Sequence, residues 1–236
     1  MGIKERKERE KEARKEEILN AAEKFFFEKG LAQTTMDEIA EAAELSKGTL
    51  YLYYGSKEDL YLAVAMRGMD FMYNMFEEAT STGEHPIKVL ENLGEAYYNF
   101  FLKYRSYYRM FYFFEHPQVI SQVTGEMMTM CMNQDKKIWG LVVGVIQKAI
   151  DDGFLKNDVN PLELGVMLWS NSNGVMRLID RSQDASVQQM GLNLPSMIRK
   201  SNRLLVEGVM TDAAKAKLSG TFFVDPVTPI DKPPMA

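Results

Sequence analysis

"LSKGTLYLYYGSKEDL", residues 45–60, crowds hydroxyls, lysines and tyrosine rings around Gly48. A helix built only for packing has no use for so many exposed hydroxyls and ring edges beside a glycine. Ser46 can cap a short helix that runs to about Tyr54 and is broken by Gly55. Ser56-Lys-Glu-Asp59 is an N-cap pattern for a longer helix through about Ala79. Upstream, Thr35-Met-Asp-Glu38 is a capping box. It opens a helix with Met36, Ile39, Ala40 and Ala43 on its buried side and a stop near Glu44. Before that, Ile18, Ala21, Ala22, Phe25 and Phe26 recur at helical spacing, and Gly30 supplies a C-terminal stop. Residues 4–17 alternate acids and bases, as a solvated helical extension does. A bracing helix, then two short helices joined at Glu44-Leu45-Ser46, is the layout of a helix-turn-helix.

After "TSTGEHP", residues 80–86, helical patterns are predicted near 86–104, 106–115, 118–153, 161–181 and 194–213. Ile138, Leu141, Val142, Val145, Ile146, Ala149 and Ile150 keep the helical period closely. Asn160 caps a helix with Pro161 at its first position. Glu115 and His116 end the aromatic helix. The final segment has four prolines in its last eleven residues and is predicted non-helical. The expected fold is all-α: a helix-turn-helix domain over 1–55, a helical bundle over 56–218 and a Pro-rich tail over 219–236.

The chain has 236 residues, 46% hydrophobic and 26% charged, which suits a globular protein with a real core. No run of 18 apolar residues suggests a membrane span, and the charged N-terminus does not read as a secretory signal. A single cysteine, Cys131, cannot form an internal disulfide, which fits a cytoplasmic setting. Two histidines and one cysteine supply neither a metal site nor a Cys-His pair. No glycine-rich phosphate loop follows a strand. No catalytic residue, metal or cofactor is expected. The net charge of −5 argues weakly against nucleic acid, and the first 60 residues carry 11 Lys+Arg against 14 Asp+Glu. Any phosphate contact must come from a local patch.

Residues 18–61, "ILNAAEKFFFEKGLAQTTMDEIAEAAELSKGTLYLYYGSKEDLY", resemble the DNA-binding domain of TetR-family transcriptional regulators. The resemblance rests on the Phe-x-x-x-Gly end of the first helix, Thr-Thr-Met-Asp-Glu-Ile-Ala at the second, and Ser-Lys-Gly-Thr-Leu-Tyr followed by Ser-Lys-Glu-Asp-Leu. It implies an operator of double-stranded DNA and typical contacts at Thr35, Lys47, Gly48, Thr49, Tyr51, Tyr53 and Lys57, with Ser46 capping among them. The physical roles follow. Lys47 brings a charge to a helix start that already favours phosphate. Gly48 lets the backbone approach a groove edge. Thr49 can reach a base edge, while Tyr51, Tyr53, Lys57 and Thr35 can hold phosphates. Leu50 and Tyr54 point inward. Leu52 departs from the family pattern: it cannot donate a hydrogen bond, and can touch a thymine methyl or a sugar.

The remaining two-thirds matches the family only as an all-helical bundle of the right length. There the resemblance implies a ligand pocket, a homodimer and a repressor released from DNA by its ligand. Residues 97–114 hold eleven aromatic rings in 18 positions, more than one core stripe needs. Nine of the 17 methionines lie between Met66 and Met132. A small hydrophobic or aromatic ligand is expected, with candidate walls at Phe101, Tyr104, Tyr108, Phe111, Trp139, Met167 and Trp169. Asn171 is expected to pair across an interface or with the ligand. Two apolar stripes, Leu164, Leu168, Val175 and Leu178, then Leu194, Ile198, Leu205 and Val209, are the expected dimer interface; packing on each other within one chain is the alternative. A rival reading keeps DNA binding and makes the bundle an adaptor for a protein partner.

Overall fold

A computed structural model describes residues 2–113, 117–181, 189, 191–218 and 221–222. Most of the tail expected over 219–236, and the helix end at Glu115 and His116, lie outside these residues. Eleven helices follow one another among the described residues. They are α1 (Ile3–Gln33), α2 (Met36–Ala42), α3 (Lys47–Tyr53), α4 (Lys57–Thr80), α5 (Pro86–Lys103), α6 (Arg105–Phe113), α7 (Pro117–Ile120), α8 (Gly125–Asp151), α9 (Pro161–Asp180), α10 (Leu194–Val209) and α11 (Asp212–Leu218). The fold is all-α; among the described residues the one β feature is an isolated antiparallel bridge between Leu155 and Met210. No described helix is long and apolar enough to cross a membrane.

The chain divides into two compact units. One comprises Met1–Asn74 with Leu102–Ile138, the other Met75–Phe101 with Trp139–Ala236. The first therefore takes in most of α4, with α6, α7 and the first half of α8, besides α1 to α3. Ile18, Ala22 and Phe26 of α1, Ile39 and Ala40 of α2, Leu50 of α3 and Leu60 and Val64 of α4 are all buried. The ring of Phe26 meets that of Tyr61 edge-on at 5.0 Å. Gly30 kinks α1 with φ +73°, a conformation only glycine adopts readily. Thr34, fully buried, closes the opened turn by donating its hydroxyl to the Gly30 carbonyl at 2.8 Å.

Two predicted helices are interrupted. The pattern over 118–153 is split by residues 121–124, where Ser121, Val123 and Thr124 are weaker helix formers, and Gly125 follows at the start of α8. Here the Thr124 N–H donates to Oδ1 of buried Asp59 at 2.8 Å, a bond a continuous helix would forbid. The pattern over 194–213 stops at Val209 and resumes at Asp212. Backbone bonds explain it: Lys156 N–H donates to the Val209 carbonyl and Thr211 N–H to the Phe154 carbonyl, each at 3.0 Å.

In the second unit α9 packs on α10. Polar bonds cross between them: Asn171 Nδ2 donates to Ser201 Oγ at 2.7 Å and to Asn202 Oδ1 at 3.0 Å. The Tyr97 hydroxyl donates to Asn173 at 2.7 Å. Arg199 grips both carboxylate oxygens of Glu95. These fixed partners set the register between the helices, since a slipped register would strand buried amides.

Candidate nucleic-acid interface

The helix-turn-helix is built from three caps. Thr35 Oγ1 accepts the Glu38 N–H at 3.3 Å, and Glu38 Oε2 accepts the Thr35 N–H at 2.9 Å, closing the capping box of α2. Lys29 pairs with the other Glu38 oxygen. These hydrogen bonds, from Lys29 first and Thr35 next, lower the Glu38 carboxyl from 4.5 to about 2. The folded pKa lies below the unfolded one, so the contribution is whole above pH 4.5 and lost as pH falls towards 2. Acid titration is therefore expected to loosen the α1–α2 corner within that window. Glu38→Gln should flatten this part of the unfolding curve, read by circular dichroism.

The turn between α2 and α3 is a Schellman motif. Leu45 N–H reaches the Ala40 carbonyl at 2.8 Å and Glu44 N–H the Glu41 carbonyl at 3.0 Å. Glu44 takes the left-handed conformation, φ 54°, that glycine usually supplies. Ser46 then caps α3, its Oγ accepting the Thr49 N–H at 3.1 Å and sharing a proton with Thr49 Oγ1 at 2.8 Å. Leu50 and Tyr54 are buried as expected and fix which side of α3 turns outward. Burial pushes the Tyr54 hydroxyl up to about 12. The outer side carries Lys47, Gly48, Tyr51 and Leu52, all exposed, with Thr49 and Tyr53 half-buried beside them.

The cations of this face are not idle in the chain. Lys47 Nζ pairs with both oxygens of Asp37, at 2.9 and 3.0 Å, and Asp37 keeps it firmly protonated. Both partners are exposed, so the pair is worth little and exchanges readily for another anion. Lys57 Nζ donates to the Thr34 carbonyl at 2.9 Å, next to Thr35. Thr35, Ser46, Lys47, Gly48, Thr49, Tyr51, Tyr53 and Lys57 thus all fall in the segment spanning α2 to the start of α4. Sequence reasoning missed Asp37 as the partner of Lys47; an acid at the second position of a capped helix was the available signal.

The expected pocket residues are divided between the two units. Tyr104, Tyr108 and Phe111 belong to the first unit, and Phe101, Trp139, Met167, Trp169 and Asn171 to the second. Tyr104 stacks on Phe71 at 4.8 Å and Tyr108 meets Tyr112 edge-on at 4.8 Å. Trp139 meets Trp169 edge-on at 6.2 Å, and Met167 and Trp169 lie on the surface, 54% and 45% exposed. Asn171 finds partners on α10 of its own chain.

The expected dimer stripes divide by burial. Leu164, Val175, Leu194 and Ile198 are buried within one chain, and Leu168, Leu178, Leu205 and Val209 are half-buried. The open apolar residues of these helices are Leu162, Val166, Met167 and Trp169 on α9 and Leu204 on α10, which is 70% exposed. The signal was present: α9 is apolar on two sides, and only one can face its own chain.

Among the described residues, no three His, Cys, Asp or Glu side chains are grouped to hold a metal ion. His85 stacks on Phe154, and burial together with Asp135 pushes the Cys131 thiol up to about 11.

Comparison with known proteins centres on the same segment. Residues 18–64 match the family model described as bacterial regulatory proteins, tetR family. The HTH-type transcriptional activator FasR of Mycolicibacterium smegmatis is 33% identical over 116 residues, 48% of this chain and 53% of that protein, so the match spans about half of its length. The HTH-type transcriptional repressor KstR2 of Mycobacterium tuberculosis is 24% identical over 148 residues, 63% of this chain and 72% of that one. The transcriptional regulator FadR from Bacillus subtilis, solved in complex with stearoyl-CoA, has the same fold. Its TM-score is 0.62 at 18% identity, covering 82% of this chain and 98% of that one.

Proposed function

This chain belongs to the TetR family of DNA-binding transcriptional regulators, and on that premise we propose that α3 enters the major groove of an operator, presented twice by a homodimer that a hydrophobic effector releases. The observation that carries the groove assignment is Gly48. It sits in the first turn of α3 with an ordinary backbone, and a Cβ built there meets nothing nearer than Ser46 Oγ at 3.8 Å. Alanine would fit and would favour the helix by about 0.5–1 kcal/mol. The fold has no need of this glycine, whereas a backbone pressed against a groove wall does. Tyr51 and Tyr53 then reach phosphates and set register, and Lys47 leaves Asp37 for a phosphate.

Gly48→Ala is the test. The variant is expected to unfold at the same temperature or slightly higher, yet to bind operator DNA, selected from a random duplex pool, about tenfold or more weakly. Equal operator affinity would remove α3 from the groove.

One helix of this length reads too few base pairs, so two must lie about 34–36 Å apart on successive major grooves. Leu162, Val166 and Met167 on α9 with Leu204 on α10 are the apolar surface we assign to the second copy. The division of labour follows: residues 1–55 read DNA, and residues 56–218 bind the effector and the partner copy. The stearoyl-CoA held by the FadR relative supports an effector with a long apolar part, as do the aromatic and methionine content of this chain. Repression is the favoured direction, supported by KstR2, while FasR is an activator. Transcription from the selected operator, with and without acyl compounds, reads that direction.

A further inference from the structure

We propose that Leu52 selects a thymine in each half-site by packing on its 5-methyl group, an inference that rests on α3 being the groove-facing helix. Leu52 is 85% exposed, more than any other large hydrophobic side chain among the described residues. A lone exposed leucine is ordinary on a protein surface. This one stands one helical turn beyond Gly48, on the side of α3 opposite buried Leu50, and next to exposed Tyr51. The missing side chain at 48 leaves open space on that side, so whatever approaches Gly48 also meets Leu52.

Chemistry narrows what Leu52 can read. It has no donor or acceptor, so it contributes nothing to phosphate or to the polar edges of guanine, adenine or cytosine. The apolar feature of the major groove is the thymine methyl. Leu52 cannot bury itself in its own chain, and its burial on binding is the source of the discrimination. Two copies related by a dyad place the preference at two symmetric positions of the operator.

The test uses the whole protein and the operator selected from a random pool. Each thymine is replaced in turn by deoxyuridine, which removes the methyl group alone, and binding is measured for the unaltered chain and for Leu52→Ala. One thymine per half-site is expected to weaken binding by about fourfold when demethylated, and about fifteenfold when both half-sites are changed. Leu52→Ala should bind more weakly on the thymine operator and lose all sensitivity at that position, with its thermal unfolding unchanged because the site is exposed. If no thymine shows this dependence, or if Leu52→Ala keeps it, the assignment of Leu52 falls while DNA binding stands. If the unaltered chain enriches no sequence at all, the groove reading itself falls.

Discussion

The double substitution Val166→Glu with Leu204→Glu should yield monomers in sedimentation and lower operator affinity by about 10²–10⁴. Both positions are exposed, at 40% and 70%, so the charges are solvated in the monomer and the fold is expected to survive. In the dimer the same four carboxylates would be driven into an apolar interface without partners. The loss on DNA follows because linked half-sites gain their avidity from the second copy, and a monomer forfeits it. Leu164→Glu separates this surface from the core of the chain. Leu164 is only 4% exposed, so a charge there is expected to cost roughly 3–5 kcal/mol and to unfold the chain rather than divide a dimer. A dimer that survives the double substitution would move the interface away from α9 and α10.

Those two outcomes mark the boundary of what was legible in the sequence. Caps depend on residues three apart, so Thr35 with Glu38, Ser46 before α3, Ser56 before α4 and Asn160 before α9 could be read directly, and each closes the bond its spacing implies. Leu50 and Tyr54 were legible for the same reason: a short capped helix has only one way to lay its apolar residues on its neighbours. The stripes of α9 and α10 were not. Leu164 and Leu162 are equally apolar, and periodicity does not say which faces the chain and which faces outward. Nor do the bonds of Asn171 to Ser201 and Asn202, or of Thr124 to Asp59, leave a local trace, because the partners are 30, 31 and 65 residues apart. Ring density is likewise legible in residues 97–114, but which rings meet depends on helix packing.

The largest stability loss from a single methyl group is expected at Gly68→Ala. Within α4 the change should favour the helix by about 1 kcal/mol. A Cβ at this position, however, would stand 2.7–2.9 Å from Cδ1, Cβ and Cγ of Tyr107 in α6. Tyr107 has nowhere to go. Its hydroxyl donates to Glu23, which also accepts from Arg67 at 2.8 Å, and Arg67 reaches Glu16 at 2.7 Å and Asn20 at 2.8 Å. Its ring is held edge-on by Phe27 at 4.9 Å and by Phe71 at 5.5 Å. Strain that a flexible neighbour would absorb must move α6 or break a bonded carboxylate. Overpacking of this kind costs about 1–3 kcal/mol beyond the helix gain, or roughly 3–10 °C in melting temperature for a chain of this size. Tyr107→Leu alone should destabilise by loss of the ring and the Glu23 bond. In that background Gly68→Ala should become neutral or stabilising, because the clash is gone and only the helix preference remains. Additive losses in this cycle, read by thermal unfolding, would show that α4 and α6 do not meet through these two residues.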